Sequence, residues 1–517
     1  MLNSVDFSGR PFHFIGIGGI GMSALAYVLT KRKLPVFGSD LCLNHITQRL
    51  QDNGVHIFWS QDAANLQAFQ ADPPALAPSV ALPPALIERQ LAEAAVEPVA
   101  VNPTNPSVAN HSGLPQIICS TAINPANPEY QAALELGCPV FHRSDVLAAL
   151  IQGSYGIAVA GTHGKTTTSS MIGYLLLQAG LDPTIVVGGE VNAWEGNARV
   201  GESQYLVAEA DESDGSLVKF APQVGVITNI ELDHPDHYAT LDDVIQTFKT
   251  FAEQCQILIG CIDNAEVQRL QPSLTYSLQP ELEADYTVNQ VRYGANGTTA
   301  QVWERGTALG ELHLKLLGQH NLSNALAALA VGRLVGLEFA QIADILATFE
   351  GARRRFERRG EANRILFIDD YAHHPSEIQV TLAAARLRVQ DVDSPYQRVV
   401  AVFQPHRYSR TVTFLKEFAQ SFENADLVIT SDIYSAGEPD LGQVTGQQLA
   451  DAIAIYHPQV VYQPTLQSVS AFLIETLEPG DLVLFLGAGN LNRVIPELMT
   501  FYQQVEQSRA AVYCGSA

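Results

Sequence analysis

The feature that most limits what this chain can fold into is an alternation. Short runs of β-branched and aromatic residues are each followed by a polar turn and then by a longer stretch with helical spacing. That order builds parallel sheets covered by helices, because consecutive parallel strands need a crossover long enough to hold a helix. Three such blocks follow one another. The first has strands at 12–17, 34–37 and Gln116–Cys119, with a helix beginning at 23–30. The second opens with a strand at 157–160 and a helix at 167–178. It continues with strands at 205–208 and 224–228 and helices at Leu241–Gln254 and 321–335. The third has strands at 365–368, 399–403, Leu427–Thr430 and 482–486. The spacing predicts an α/β protein of three domains, 1–152, 153–358 and 359–517. The basic run GARRRFERRG (351–360) closes the second, and a proline-rich insertion at 72–115, with a short helical piece near 85–95, interrupts the first. With 517 residues, 47% of them apolar, there is material for three cores.

Thirty Lys and Arg against fifty-four Asp and Glu leave a net charge of −24. A chain this acidic excludes general binding to nucleic acid or to anionic membranes, which need basic faces. Any anion must be held by local devices such as helix N-termini, glycine turns or clustered arginines. Residues 11–30 run twenty positions without a formal charge, the length of a membrane span, but Gly16, Gly18, Gly19 and Gly21 break any single helix there. No targeting signal is legible. Six scattered cysteines without C-x-x-C spacing are expected to be reduced thiols in a cytoplasmic protein.

Chemistry concentrates just after the strands, where open parallel sheets place their ligands. GTHGKTTT (161–168) follows an apolar strand and opens a helix. Gly161, Thr162, His163 and Gly164 can present backbone N–H groups to phosphate oxygens. Lys165 would neutralise the β/γ end, Thr166 would ligate Mg²⁺, and Thr167 continues the helix start. Val159 stands where the usual phosphate-loop pattern has its first glycine. GIGGIG (16–21) is a G-x-G-x-x-G between strand and helix, followed nineteen residues later by Asp40. It suits a pyrophosphate ligand without distinguishing NAD from another nucleotide. AEADESD presents Glu209, Asp211 and Glu212, and TNIELDH presents Asp233 and His234. These carboxylates and the imidazole suit a second Mg²⁺, or are a solvated acidic loop. His320, Asn321 and Asn324 start a helix as adenine readers or caps. Arg353, Arg354, Arg355, Arg358 and Arg359 form a phosphate clamp or a solvated linker.

Taken in order, GIGGIGMSALA, GSD, STAINPANPE, GTHGKTTT, AEADESD, TNIELDH, GQHNLSNALAA, RRRFE, DDYAHHPSEI, FQPHRYSRT and GAGN resemble the Mur ligase family over nearly the whole chain. DDYAHHP with FQPHRYSR is similar to the alanine-adding branch rather than to the later peptide-adding ones. The resemblance implies a Rossmann-like UDP-binding domain, a central P-loop ATPase-like domain, and a C-terminal Rossmann-like domain closing over the site. It implies ATP and Mg²⁺, with UDP-N-acetylmuramate and L-alanine joined through an acyl phosphate in cytoplasmic peptidoglycan precursor synthesis, by a monomer or homodimer without nucleic-acid or membrane partners.

Carried over residue by residue, Lys165, Glu209, His234, His373 and Arg407 are catalytic, and Thr166, Glu209 and His234 hold metal. ATP would meet residues 161–167 with His320, Asn321, Asn324, Arg355 and Asp370. The UDP-sugar and alanine would meet Gly16, Gly18, Gly19, Gly21, Met22, Ser39, Asp40, Ser120, Tyr371, His373, His406, Arg407 and Arg410. Relatives that use a carbamylated lysine offer only Lys249 as a counterpart, which suits an exposed helix lysine better. The rivals are a recycling ligase that attaches a tripeptide, a UDP-sugar-binding scaffold without activity, and an NAD(P)-dependent oxidoreductase resting on GIGGIG and Asp40.

Overall fold

The computed structural model describes residues 4–69 and 113–514, so most of the proline-rich insertion, with its helical piece, lies outside the described residues. The chain forms two compact units. One comprises Met1–Ser154, Thr184–Gly188 and Asn197–Glu202; the other comprises Tyr155–Pro183, Gly189–Gly196 and Ser203–Ala517.

The first unit carries a five-stranded sheet in the spatial order His56–Phe58, Val36–Ser39, Phe12–Ile15, Gln116–Cys119, Val140–His142, every neighbouring pair parallel. The order reverses beside Phe12–Ile15, so the crevice at the carboxyl end of that strand is the ligand position of a doubly wound sheet. The apolar segment 11–30 resolves into this strand, a glycine turn and the helix Ile20–Lys31. Among the described residues no helix is long and apolar enough to cross a membrane.

The second unit carries two sheets. In the first, Tyr155–Ala160 lies between Val224–Ile227 and Tyr205–Glu209, parallel to both. Parallel strands Ile257–Cys261, Leu274–Ser277 and Tyr286–Gly294 extend it, and an antiparallel ribbon of Gly297–Glu304 and Thr307–Leu314 ends it. The helices Lys165–Gln178 and Gln319–Leu334 share one core against this sheet. Alanines along the second helix permit close approach: a Cβ added at Gly332 would fall 2.8 Å from Leu175 Cδ2. The other sheet runs Glu357–Ala362, Ile365–Asp370, Asp481–Leu486, Arg398–Phe403, Leu427–Thr430, Val460–Tyr462, parallel except for its first pair. The basic run therefore does not close the second block. Its later residues form the edge strand Glu357–Ala362 of the third sheet, where pairing with Ile365–Asp370 outweighs the polar composition.

Candidate active site

The phosphate loop is built as its residues require. Gly161 (φ +136°) and Gly164 (φ +82°) adopt backbone conformations that favour glycine, and the helix begins at Lys165, two residues earlier than expected. The TNIE segment straps the loop in place. Thr162 N donates to Asn229 O at 3.0 Å, His163 N to Asn229 Oδ1 at 2.8 Å, and Thr228 Oγ1 to His163 O at 2.6 Å. Lys165 Nζ donates to Gly161 O (2.7 Å), Thr162 O (3.1 Å) and Glu212 Oε1 (2.9 Å). Its pKa stands above the ordinary lysine value: burial opposes the charge, but Glu212, Asp211 and Glu209 outweigh it. Burial pushes Glu212 up to about 7 against the pull of Lys165.

The expected metal residues fall into two groups. Thr166 Oγ1 donates to Glu209 Oε1 at 3.0 Å. His234 lies instead with Asp211 and Glu212, each offering one ligand atom within 4.8 Å of the others. His234 adopts φ +54°, a strained conformation for a side-chain-bearing residue of the kind found at functional sites, and burial lowers its pKa. Hydroxyl and carboxylate oxygens predominate in this donor set, which suits Mg²⁺. Lys249 is exposed on its helix, as expected of a solvent-facing lysine.

Asn321 and Asn324 are not the cap of their helix; Gly318 occupies that position. Both are buried and tie this helix to the phosphate-loop helix. Thr168 Oγ1 donates to Asn324 Oδ1 (3.1 Å), Asn324 Nδ2 to Asn321 Oδ1 (3.4 Å) and Asn321 Nδ2 to Leu317 O (2.8 Å). His320 beside them is held neutral, its pKa lowered to about 4 by burial. Of the arginine cluster only Arg355 turns to the phosphate loop, with Nη2 3.5 Å from Thr166 Oγ1. Arg353 pairs with Glu190, Arg354 and Arg359 with Asp369, and Arg358 with Glu361.

The third sheet places the remaining residues at the carboxyl ends of its strands. Asp370 is buried and receives Phe356 N (2.6 Å) and Ala372 N (2.8 Å); burial raises it to about 6. Tyr371 lies beneath Arg354 and Arg355, 4.9 and 5.2 Å from its ring centroid. His373 Nδ1 meets Tyr371 O at 2.9 Å, and burial lowers this imidazole to about 4. His406 stacks on Tyr434 and is lowered to about 3, first by burial and then by His373. Arg407 (φ +72°) reaches Asp236 at 2.7 Å. Arg410 is 2% exposed and donates through Nε to Asp233 Oδ1 at 2.9 Å, joining the two sheets.

In the first unit Gly16 (φ +76°) begins the glycine turn, and Gly18 N donates to Asp40 Oδ2 at 2.7 Å, so Asp40 shapes the turn itself. A Cβ at Gly18 would fall 2.8 Å from the same oxygen, and one at Gly19 3.5 Å from Gly16 O. Met22 is 2% exposed and belongs to the core of this unit. Ser39 is buried with its hydroxyl on Glu129, and Ser120 follows the strand Gln116–Cys119. Arg143, which sequence reasoning missed, brings a cation to the turn, its Nη1 3.2 Å from where a Cβ at Gly21 would lie. No spacing rule marks a lone arginine. Also missed were Glu231, His374 and Glu377, acidic and imidazole groups beside the phosphate loop.

Three family models match in succession: Mur ligase family, catalytic domain, over residues 11–155; Mur ligase middle domain over 159–332; and Mur ligase, glutamate ligase domain, over 354–489. The fold, the phosphate loop and these matches define the class: the chain belongs to the Mur ligase family, whose members are ATP-dependent ligases. Among its relatives, the UDP-N-acetylmuramate–L-alanine ligase of Nostoc punctiforme is 67% identical, covering 97% of this chain and 98% of that protein. The protein of the same name from Gloeothece citriformis is 61% identical over 97% and 99%. Among solved structures, the UDP-N-acetylmuramate–alanine ligase of Thermotoga maritima is 25% identical, covers 96% of this chain and 100% of that one, and superposes with a TM-score of 0.74. A likeness of fold extends to the Thermotoga maritima MurF ligase solved with ADP, at 18% identity and TM-score 0.56 over 76% of this chain and 90% of that one.

Proposed function

We propose that this chain joins L-alanine to the lactyl carboxylate of UDP-N-acetylmuramate at the expense of ATP, releasing ADP and phosphate. One observation carries the reading: relatives of that name match this chain end to end, the Nostoc punctiforme protein at 67% identity. The lysine-bearing phosphate loop that the reaction needs is present. The γ-phosphoryl group passes to the carboxylate, giving an acyl phosphate. The alanine amine attacks it, and the tetrahedral intermediate expels phosphate. The route crowds negative charge, so positioned cations and dipoles supply most of the catalysis.

Lys165 is the central cation. Nucleotide phosphates arriving at the helix N-terminus would draw its ammonium from Glu212, and the loop N–H groups would take the remaining oxygens. Thr166 with Glu209, and His234 with Asp211 and Glu212, would hold Mg²⁺, which when bound neutralises phosphate charge. His320, Asn321 and Asn324 frame the adenine side, with Asn324 fixing the loop from behind, while Arg355 and Asp370 serve the phosphates and the nucleotide. His373, His406 and Arg407 bind the carboxylate and the amino acid, the two imidazoles acting as neutral hydrogen-bonding groups, since their lowered pKa makes them weak bases. Arg410 positions them through Asp233. Gly16, Gly18, Gly19, Gly21 and Arg143 receive the UDP pyrophosphate. We assign residues 1–152 to UDP-sugar binding, 153–356 to ATP and the rest of the chain, from the edge strand Glu357–Ala362 onward, to completing the site, in a cytoplasmic enzyme.

Incubation with UDP-N-acetylmuramate, ATP, Mg²⁺ and either L-alanine or the tripeptide tests the reading. Phosphate release with L-alanine alone is expected. Release only with tripeptide would make the chain a recycling ligase, and none above background with either would make it a scaffold.

A further inference from the structure

The turn that positions Lys165 also carries His163, whose imidazole has no part in the phosphate chemistry above. Its Nε2 lies 3.3 Å from Glu231 Oε2 and its Nδ1 3.3 Å from Glu377 Oε1, so the ring bridges carboxylates from the two sheets of the unit. His374 packs against it with ring centroids 4.6 Å apart. His163, Glu231 and His374 each offer a ligand atom, and the three atoms lie within 4.8 Å of one another.

His374 supplies a second, independent observation. It is 4% exposed, and its Nδ1 accepts Ser376 N at 3.3 Å as the cap of the helix Pro375–Gln390. Its Nε2 is buried without a hydrogen-bond partner. A buried polar atom in that condition is costly and calls for an explanation. The capping box, in which Glu377 receives His374 N at 3.3 Å, fixes the ring's orientation much as outer-shell partners fix metal-binding histidines.

We propose that His163, Glu231 and His374 form a binding site for a borderline divalent transition-metal cation, of which Zn²⁺ is the type, separate from the Mg²⁺ residues, with Glu377 holding the two histidines from outside the ligand set and solvent taking the fourth position. Two imidazoles and a carboxylate suit Zn²⁺ and are a poor match for Mg²⁺, which prefers oxygen throughout. Because the ligands come from the phosphate loop, the segment after Val224–Ile227 and the head of Pro375–Gln390, the ion staples the two sheets together.

The test uses the full chain, stripped by chelation and titrated with Co²⁺ followed by Zn²⁺ in the presence of excess Mg²⁺. We expect one equivalent of Co²⁺ to give the visible d–d absorption of a tetrahedral nitrogen and oxygen site, without thiolate charge transfer, and Zn²⁺ to displace it. His374→Asn retains a capping side chain but lacks the Nε2 ligand, and Glu231→Gln keeps shape without charge. Both should weaken binding by more than about 100-fold, since even outer-shell losses cost about 10- to 100-fold. Asp211→Asn, in the other cluster, should leave binding intact. A spectrum unchanged in His374→Asn, one carrying thiolate charge transfer, one lost in Asp211→Asn, or no binding at all would overturn the proposal.

Discussion

Lys165 is bound on one side by the carbonyls of its own loop and on the other by Glu212. This arrangement stores a cation where phosphate charge will develop. Lys165→Ala should lower turnover by at least about 100- to 1,000-fold, the cost of removing one preorganised charge-stabilising group. UDP-N-acetylmuramate affinity should hold within about threefold by calorimetry, because the glycine turn belongs to the other unit; equal loss of both would contradict this division. Asp233 and Arg410 make a different case. Both are nearly inaccessible, and the guanidinium holds the Asp233 carboxyl well below the usual carboxylate range although burial opposes it. Asp233→Ala leaves an uncompensated buried charge and should cost about 3–5 kcal/mol in urea unfolding. A change under about 1 kcal/mol would mean that water reaches the guanidinium in the folded protein.

Two elements, the helices Lys165–Gln178 and Gln319–Leu334, fix the phosphate loop, and their contact leaves no room at Gly164. A Cβ there would lie 2.7 Å from Asn324 Oδ1 at φ +82°. Gly164→Ala should therefore lower stability by about 1–3 kcal/mol and weaken ATP binding, whereas Gly164→Ala with Asn324→Ala should recover part of the stability but not the nucleotide contact. The head of the second helix also sets a pH response. His320 has its pKa depressed from 6.5 to about 4 by burial, so the unfolded chain binds the extra proton first. Its contribution is complete above about pH 6.5 and is lost as pH falls toward 4. His320→Gln should flatten that part of the urea-midpoint profile, and an unchanged slope would place the titration elsewhere. These elements were legible because an apolar strand, a glycine turn and a hydroxyl-rich helix start each carry a local signature. The ribbon from Tyr286 to Leu314 was not, because its edge strand Thr307–Leu314 and the second half of Tyr286–Gly294 are mostly exposed and carry little apolar alternation. Nor were Glu231, Glu377 and His374, whose roles arise only when segments 68 to 214 residues apart in the chain meet. Met22 sits inside a motif, and the helix turns its side chain into the core.

At the scale of the whole molecule, the net charge of −24 means that ATP and a UDP-sugar must approach against the protein's mean field and be held by short-range devices. The two units carry different devices, a glycine turn with Arg143 in one and the lysine-bearing loop with Mg²⁺ ligands in the other. Each ligand should accordingly stabilise its own unit. A ligand at about 100 times its dissociation constant contributes about 2.7 kcal/mol to the folded state that binds it. ATP with Mg²⁺ should raise the calorimetric transition of the unit holding Lys165, UDP-N-acetylmuramate that of the unit holding Gly16, and the two together should raise both. NAD(P)H should raise neither, because Asp40 already accepts from Gly18 N and Cys42 N and is engaged in shaping the turn rather than presented to a ribose hydroxyl. A shift with NAD(P)H and none with ATP and Mg²⁺ would return the glycine turn to a dinucleotide and remove the phosphate-loop chemistry on which the ligase reading depends.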